Sequence, residues 1–132
     1  MSVRSNAVEA RLSPRAEQPV AWIYQHAGLP VMVVGEREGW MRVRDPDGAE
    51  VWMRREDLEA RRTIYVREQT PLRRTARAGG QMVAYLMPGV IGSVTACDGN
   101  WRRVAVGGRV GWVDDAALWG GDCTGLDTTI RP

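Results

Sequence analysis

Hydrophobic and polar positions along this chain alternate over short stretches and never hold a helical period for long. Residues 31–35 form a β-branched run followed by charge. Within Trp40–Arg44, Met41 and Val43 fall on one face of a strand and Trp40, Arg42 and Arg44 on the other. Asp45-Pro46-Asp47-Gly48 predicts a tight turn, because Pro fixes φ and Gly accepts a positive φ. Residues 49–53 then read as the returning strand. The same series recurs as strands over 91–96, 101–106 and 109–113, with Gly107-Gly108 at the turn. Residues 55–58 and 115–118 predict short helical turns whose leucines plug a barrel end.

The recurrence is a duplication. Gly28 matches Gly89, Trp40 matches Trp101, Trp52 matches Trp112 and Leu58 matches Leu118. The missing residue of the second copy falls in the turn, where a deletion is absorbed easily. Before the glycines, Tyr24 is matched with Tyr85. A hairpin is not stable alone and a unit of this size buries little surface. Curling five or six short strands into a barrel removes most free edges. The expected fold is therefore all-β: two small barrels in tandem, each with a short helical turn before the closing strand. The expected domains are residues 8–68 and 69–120, with a loose tail over 121–132. The segment Thr63–Val66 is expected to close the first barrel.

The motifs EGWMRV (38–43) and DGAEVWM (47–53) in the first copy, and GNWRRV (99–104) and GGRVGWV (107–113) in the second, resemble the bacterial SH3-like (SH3b) domain in tandem. The second copy keeps Gly111 before its tryptophan, where the first has Val51. The resemblance extends over roughly residues 10–119, and GLPV (28–31), RDPDG (44–48) and LEARRTIYV (58–66) especially resemble tandem SH3-like proteins of Gram-negative bacteria, many of them exported. It implies a non-catalytic binding or targeting module of the cell envelope that recognises peptidoglycan or an envelope protein. It also implies a periplasmic or extracellular setting; a chain complete as given would be cytoplasmic. The alternatives are an intracellular protein-interaction adaptor and a nucleic-acid-binding small barrel.

Composition sets limits on these readings. Hydrophobic residues are 44% and charged residues 26%, a globular balance. No apolar run approaches the length of a membrane span, and residues 1–15 hold no apolar core of the length a secretory signal needs. The formal charge is only +2, from 18 basic and 16 acidic side chains, which disfavours nucleic acid as partner. Every basic side chain is arginine, and the excess of positive charge sits over residues 59–80. Arg61, Arg62, Arg67, Arg73, Arg74 and Arg77 form a candidate basic patch there, for phosphates, an anionic wall polymer or an acidic protein surface.

Candidate chemistry is sparse. His26 is the only histidine and lacks companion metal ligands, so no metal or cofactor is expected. The glycine-rich stretches lack the phosphate-binding patterns, and the carboxylates of the turns are expected to accept nearby backbone N–H bonds. No nucleophile, base and orienting group stand in a catalytic arrangement, so no enzyme is expected. Cys97 and Cys123 leave two readings open. They form a disulfide clamping the tail beside residues 93–98 in an oxidising compartment, or Cys97 is a buried thiol and Cys123 lies in a loose tail. Ligand-groove candidates are aromatic. Trp40 and Trp101 occupy the family's groove position, Trp40 being expected partly exposed by its shared parity with Arg42 and Arg44. Trp22, Tyr24 and Tyr85 add an aromatic wall or pack the barrels. The first loops, 11–19 and 72–80, carry no aromatic residue, which argues against a conventional proline-peptide groove.

Overall fold

The computed structural model describes residues 1–123 of the chain, which form two compact units, Met1–Arg61 and a second beginning at Arg62. Both are all-β. The first contains β1 (Ser2–Val3), β2 (Val8–Ala10), β3 (Trp22–Tyr24), β4 (Met32–Arg37), β5 (Trp40–Arg44), β6 (Glu50–Arg54), a 3-10 turn (Arg55–Asp57) and β7 (Leu58–Glu59). The second contains β8 (Thr63–Val66), β9 (Thr70–Arg73), β10 (Met82–Leu86), β11 (Ile91–Asp98), β12 (Trp101–Val106), β13 (Arg109–Asp114), a 3-10 turn (Asp115–Ala117) and β14 (Leu118–Gly120).

The two units repeat one topology. In the second, a single antiparallel sheet runs β10-β9-β13-β12-β11-β8-β14. In the first, the pairs β3-β2, β4-β5-β6 and β1-β7 follow the same order, joined by single bridges from Arg11 to Trp52 and from Ser2 to Pro30. Even the irregularities match. A bulge lies between Val33 and Gly35 opposite β5, and another between Val94 and Ala96 opposite β12. The extra residue sharpens the local twist and bends the sheet toward closure.

Thr63–Val66 does not close the first barrel. It pairs with Ile91–Ser93 of β11 and with β14, so it opens the second. Its counterpart in the first unit is β1, at the extreme N-terminal end. The correspondence is bond for bond. Val3 N donates to Leu29 O and Val66 N to Val90 O, each at 2.9 Å; Gly28 N donates to Val3 O at 2.7 Å and Gly89 N to Val66 O at 2.8 Å. Gly28 and Gly89 both adopt positive φ, 85° and 93°, which glycine tolerates without a Cβ penalty. The segment's β-branched composition announced a strand, but composition carries no information on which neighbour a strand pairs with.

Alternation places the cores. Val43, Val51, Met53, Val3 and Val8 are fully buried in the first unit. Ile64, Val66, Leu72, Val104 and Val113 are fully buried in the second, gathered with Leu86, Val94 and Cys97 in one cluster. The 3-10 turns stand where helical turns were expected, and Leu58 after the first is buried. Glycines 107 and 108 both have positive φ, the conformation that a two-residue hairpin of primed type demands. Of the expected tail, Gly121 is buried and bonded through its N–H to Thr63 O at 3.0 Å; residues 124–132 lie outside the described part.

Candidate functional site

The register equates positions between the copies and exposes where they differ. Trp40 pairs across strands with Arg54, and Trp101 with Asp114. Arg11 bridges to Trp52, and Arg73 pairs with Trp112. Glu9 and Pro71 each stand one residue into the paired β2 and β9. The 3-10 turns align Glu56 with Ala116 and Asp57 with Ala117.

In the first unit this locus is filled by its own side chains. The Arg54 guanidinium carbon lies 4.5 Å from the Trp40 ring centroid and that of Arg11 lies 5.8 Å away. Each cation is drawn to the negative face of the indole. Arg11 also reaches Glu9 at 3.6 Å. Burial first, and then the neighbouring Glu56, raises the Asp57 carboxyl above its ordinary value. Trp40 is consequently only 8% exposed. The expectation of a partly open Trp40 is thereby corrected: parity placed it with Arg42 and Arg44, but two arginines from outside that strand cover its ring.

In the second unit the same locus is a surface groove of about 280 Å³. Half-buried Trp101 lines it. Pro71 replaces Glu9, and Ala116 and Ala117 replace two carboxylates, so the wall is thin and largely apolar. Glu68, Asp114 and Arg73 supply the charge. Asp114 Oδ1 accepts the Ala116 N–H at 3.0 Å and so fixes the start of the 3-10 turn. Arg73 donates from Nη1 to Gly80 O at 2.8 Å, pinning the β9–β10 loop. Arg11 pins the β2–β3 loop in the same way, from Nε to Gln18 O at 3.1 Å. This loop clamp, an arginine bonded to a carbonyl seven residues on, occurs in both copies. Arg11 and Arg73 are matched by the register, and no local pattern in the sequence marks the clamp.

The other aromatic candidates do not join Trp101. Trp22, 40% exposed, lies against Tyr24 with ring centroids 6.1 Å apart in the first unit. Tyr24 is buried and its hydroxyl donates to Asp45 Oδ2 at 2.7 Å. Tyr85 is 56% exposed on β10 and does not line the groove. The match of Tyr24 with Tyr85 is also off by one. Tyr24 pairs with Val8, and it is Leu86 that pairs with the corresponding Thr70. The link to the following glycine is one residue shorter in the second copy, which displaced the alignment.

The six candidate arginines fall in different local settings. Arg61 belongs to the first unit and faces Glu59 at 3.8 Å. Arg62 and Arg67 flank β8, where the Arg62 carbonyl accepts from Val94 N and Arg67 N donates to Ala117 O. Arg73 clamps its loop. Arg74 and Arg77 follow in that loop with exposed side chains, and Arg74 lies beside Arg103, Val110 and Trp112 in a second depression. Cys97 and Cys123 are joined by a disulfide, Cα–Cα 6.3 Å. Beside it, Arg102 donates from Nε to Gly121 O at 3.1 Å and reaches Asp115 at 3.4 Å, tying the segment after β14 to the strand that begins at Trp101.

Two seven-stranded barrels, each with a tryptophan at the start of its fifth strand and a 3-10 turn before its last, define small SH3-type domains. The family model for the bacterial SH3 domain matches residues 4–59 and again 66–120, and the chain belongs to that family. No curated protein matches it. Among solved structures, NlpC2 from Trichomonas vaginalis is similar at 13% identity and a TM-score of 0.44, over 97% of this chain and 50% of that one. NlpC1 from the same organism is similar at 17% identity and 0.42, over 89% and 44%. The chain thus spans about half the length of these two. Bacterial SH3 domains are non-catalytic modules, and so are the two here. Among the described residues no three His, Cys, Asp or Glu side chains are grouped to hold a metal, and no helix is long and apolar enough to cross a membrane.

Proposed function

We propose that the chain is a binding module of the bacterial cell envelope that recognises peptidoglycan, or a protein attached to it, through the groove at Trp101. The carrying observation is the difference between the two copies: the tryptophan locus is sealed by Arg54 and Arg11 in the first unit and lies in a groove in the second. A thin wall of Pro71, Ala116 and Ala117 beside an indole suits an extended glycan–peptide, which offers flat apolar faces and backbone hydrogen-bonding groups. The Cys97–Cys123 disulfide supports a periplasmic or extracellular setting, since such bonds persist where thiols are not kept reduced.

Co-sedimentation of the full chain with purified sacculi tests this. The intact protein is expected in the pellet, and a folded Trp101→Ala variant in the supernatant. Failure of the intact protein to sediment, or sedimentation unaffected by the substitution, refutes the assignment.

A further inference from the structure

The two copies place opposite charges beside the same tryptophan. In the first unit the cross-strand partner of Trp40 is Arg54, and its guanidinium sits over the ring. In the second unit the cross-strand partner of Trp101 is Asp114. Among the described residues both cation–ring contacts fall on Trp40. The first copy therefore displays what this fold puts on the indole: a positively charged, planar group held beside carboxylates. The second copy keeps the indole, loses the carboxylates of Glu9, Glu56 and Asp57, and sets a carboxylate of its own, Asp114, at the Arg54 position, with Glu68 also lining the groove.

The charges of the groove agree. Its ionisable lining is Glu68, Asp114 and Arg73. Arg73 is engaged in the loop clamp with Gly80 O, and Asp114 uses one carboxylate oxygen for the Ala116 N–H. The exposed Glu68 and the second oxygen of Asp114 remain to face a ligand. A cation entering here meets an aromatic face and a lining of net negative charge, two carboxylates against the clamped Arg73, a combination that favours a positive group over a neutral isostere.

Resting on the reading that the Trp101 groove is the binding site, we propose that it takes a peptide bearing a primary ammonium or guanidinium. That group settles over Trp101 between Asp114 and Glu68, as Arg54 settles over Trp40. The first copy is then self-occupied, with Arg54 standing in for the ligand, and the tandem chain has one working groove.

The test is an NMR titration of the full chain, following the Trp101 indole N–H. The probes are acetyl-Ala-Lys-Ala-amide and the same peptide with an Nε-acetylated lysine. The charged peptide is expected to shift the Trp101 signal with an affinity about tenfold above that of the acetylated one. Glu68→Gln and Asp114→Asn, which keep shape and turn capping, are each expected to weaken it about two- to fivefold. Asp114→Arg is expected to abolish binding. Equal shifts with both peptides, or none with either, overturn the proposal. Should sacculi be retained through Trp101 while the peptides behave alike, the wall reading stands and the charge preference falls. Should the charged peptide bind while sacculi are not retained, the charge preference stands and the wall reading falls.

Discussion

Gly111 lies so close to Leu72 that a Cβ built on it would stand 2.7 Å from Leu72 Cγ and 2.8 Å from the carbonyl oxygen of Arg73. In the first unit the register places Val51 at the Gly111 position and Ala10 at the Leu72 position. All three side chains, Ala10, Val51 and Leu72, are buried. The two copies thus fill one core volume by opposite assignments, small facing large in each. Gly111→Val alone overpacks the second unit and is expected to destabilise it by about 2–3 kcal/mol. Adding Leu72→Ala, which recreates the Ala10–Val51 pairing, relieves the side-chain clash but not the contact with the Arg73 carbonyl, and is expected to cost less than the sum of the two single losses. Denaturant unfolding of the single and double variants measures the coupling; additive losses contradict it.

A polar pair in the first unit is likewise replaced by an apolar one in the second. Tyr24 donates to Asp45 Oδ2 at 2.7 Å, while Asp45 Oδ1 accepts the N–H groups of Asp47 and Ala49 at 2.9 and 3.0 Å. The corresponding positions hold Leu86 and Val106, both packed in the core cluster. Tyr24→Phe leaves the buried carboxylate short of a donor and is expected to cost the first unit about 2 kcal/mol. Burial, and then the bond to Asp45, raises the Tyr24 hydroxyl far above its ordinary value. The unfolded chain therefore releases this proton first. The stabilisation is complete below about pH 10, the value of a free tyrosine, and declines as pH rises beyond it. Thermal melts from pH 7 to 11 are expected to show that alkaline decline in the intact protein and a shallower one in the variant.

Much of this architecture was legible because it was written twice. Trp40 with Trp101, and Leu58 with Leu118, fixed the duplicated barrel, and the strand periods located the hairpins β5–β6 and β12–β13. What escaped were relationships that local pattern does not carry. Thr63–Val66 reads as a strand in either barrel, and only pairing with Ile91–Ser93 assigns it to the second. Trp40 shares parity with exposed arginines, yet Arg54 and Arg11 cover it. Tyr24 aligns by letter with Tyr85, but a one-residue shortening before Gly89 makes Leu86 its counterpart. The asymmetry of the groove depends on four substitutions between the copies: Pro71 for Glu9, Asp114 for Arg54, Ala116 for Glu56 and Ala117 for Asp57. They become a site only when the register superimposes them.

The disulfide joins Cys97 in β11 to Cys123 across 26 residues, enclosing β12, β13, the second 3-10 turn and β14. Cross-linking a loop of this length restricts the unfolded chain and contributes about 3 kcal/mol. Cys97→Ala with Cys123→Ala is therefore expected to lower protection of the second unit by about that amount, leaving the first unit unchanged. Hydrogen exchange resolved by residue separates the two. The Gly121 amide, bonded to Thr63 O, and the Arg102 side chain on Gly121 O report the release directly. A loss shared equally by both units, or no loss, contradicts the assignment.

Trp40 and Trp101 occupy the same register position but do different work, and truncation distinguishes them. Trp40 is 8% exposed and carries Arg54 and Arg11 on its ring. Its removal opens a cavity and strands two guanidinium groups, so Trp40→Ala is expected to cost the first unit about 3–5 kcal/mol. Trp101 is half-buried in the wall of a groove, and solvent already reaches the space its removal would enlarge. Trp101→Ala is expected to cost the second unit about 1 kcal/mol, small enough to leave it folded for binding measurements. Urea unfolding monitored by exchange in each unit gives both values. A Trp101→Ala loss as large as that of Trp40→Ala would make Trp101 a core residue and remove the groove as a binding surface.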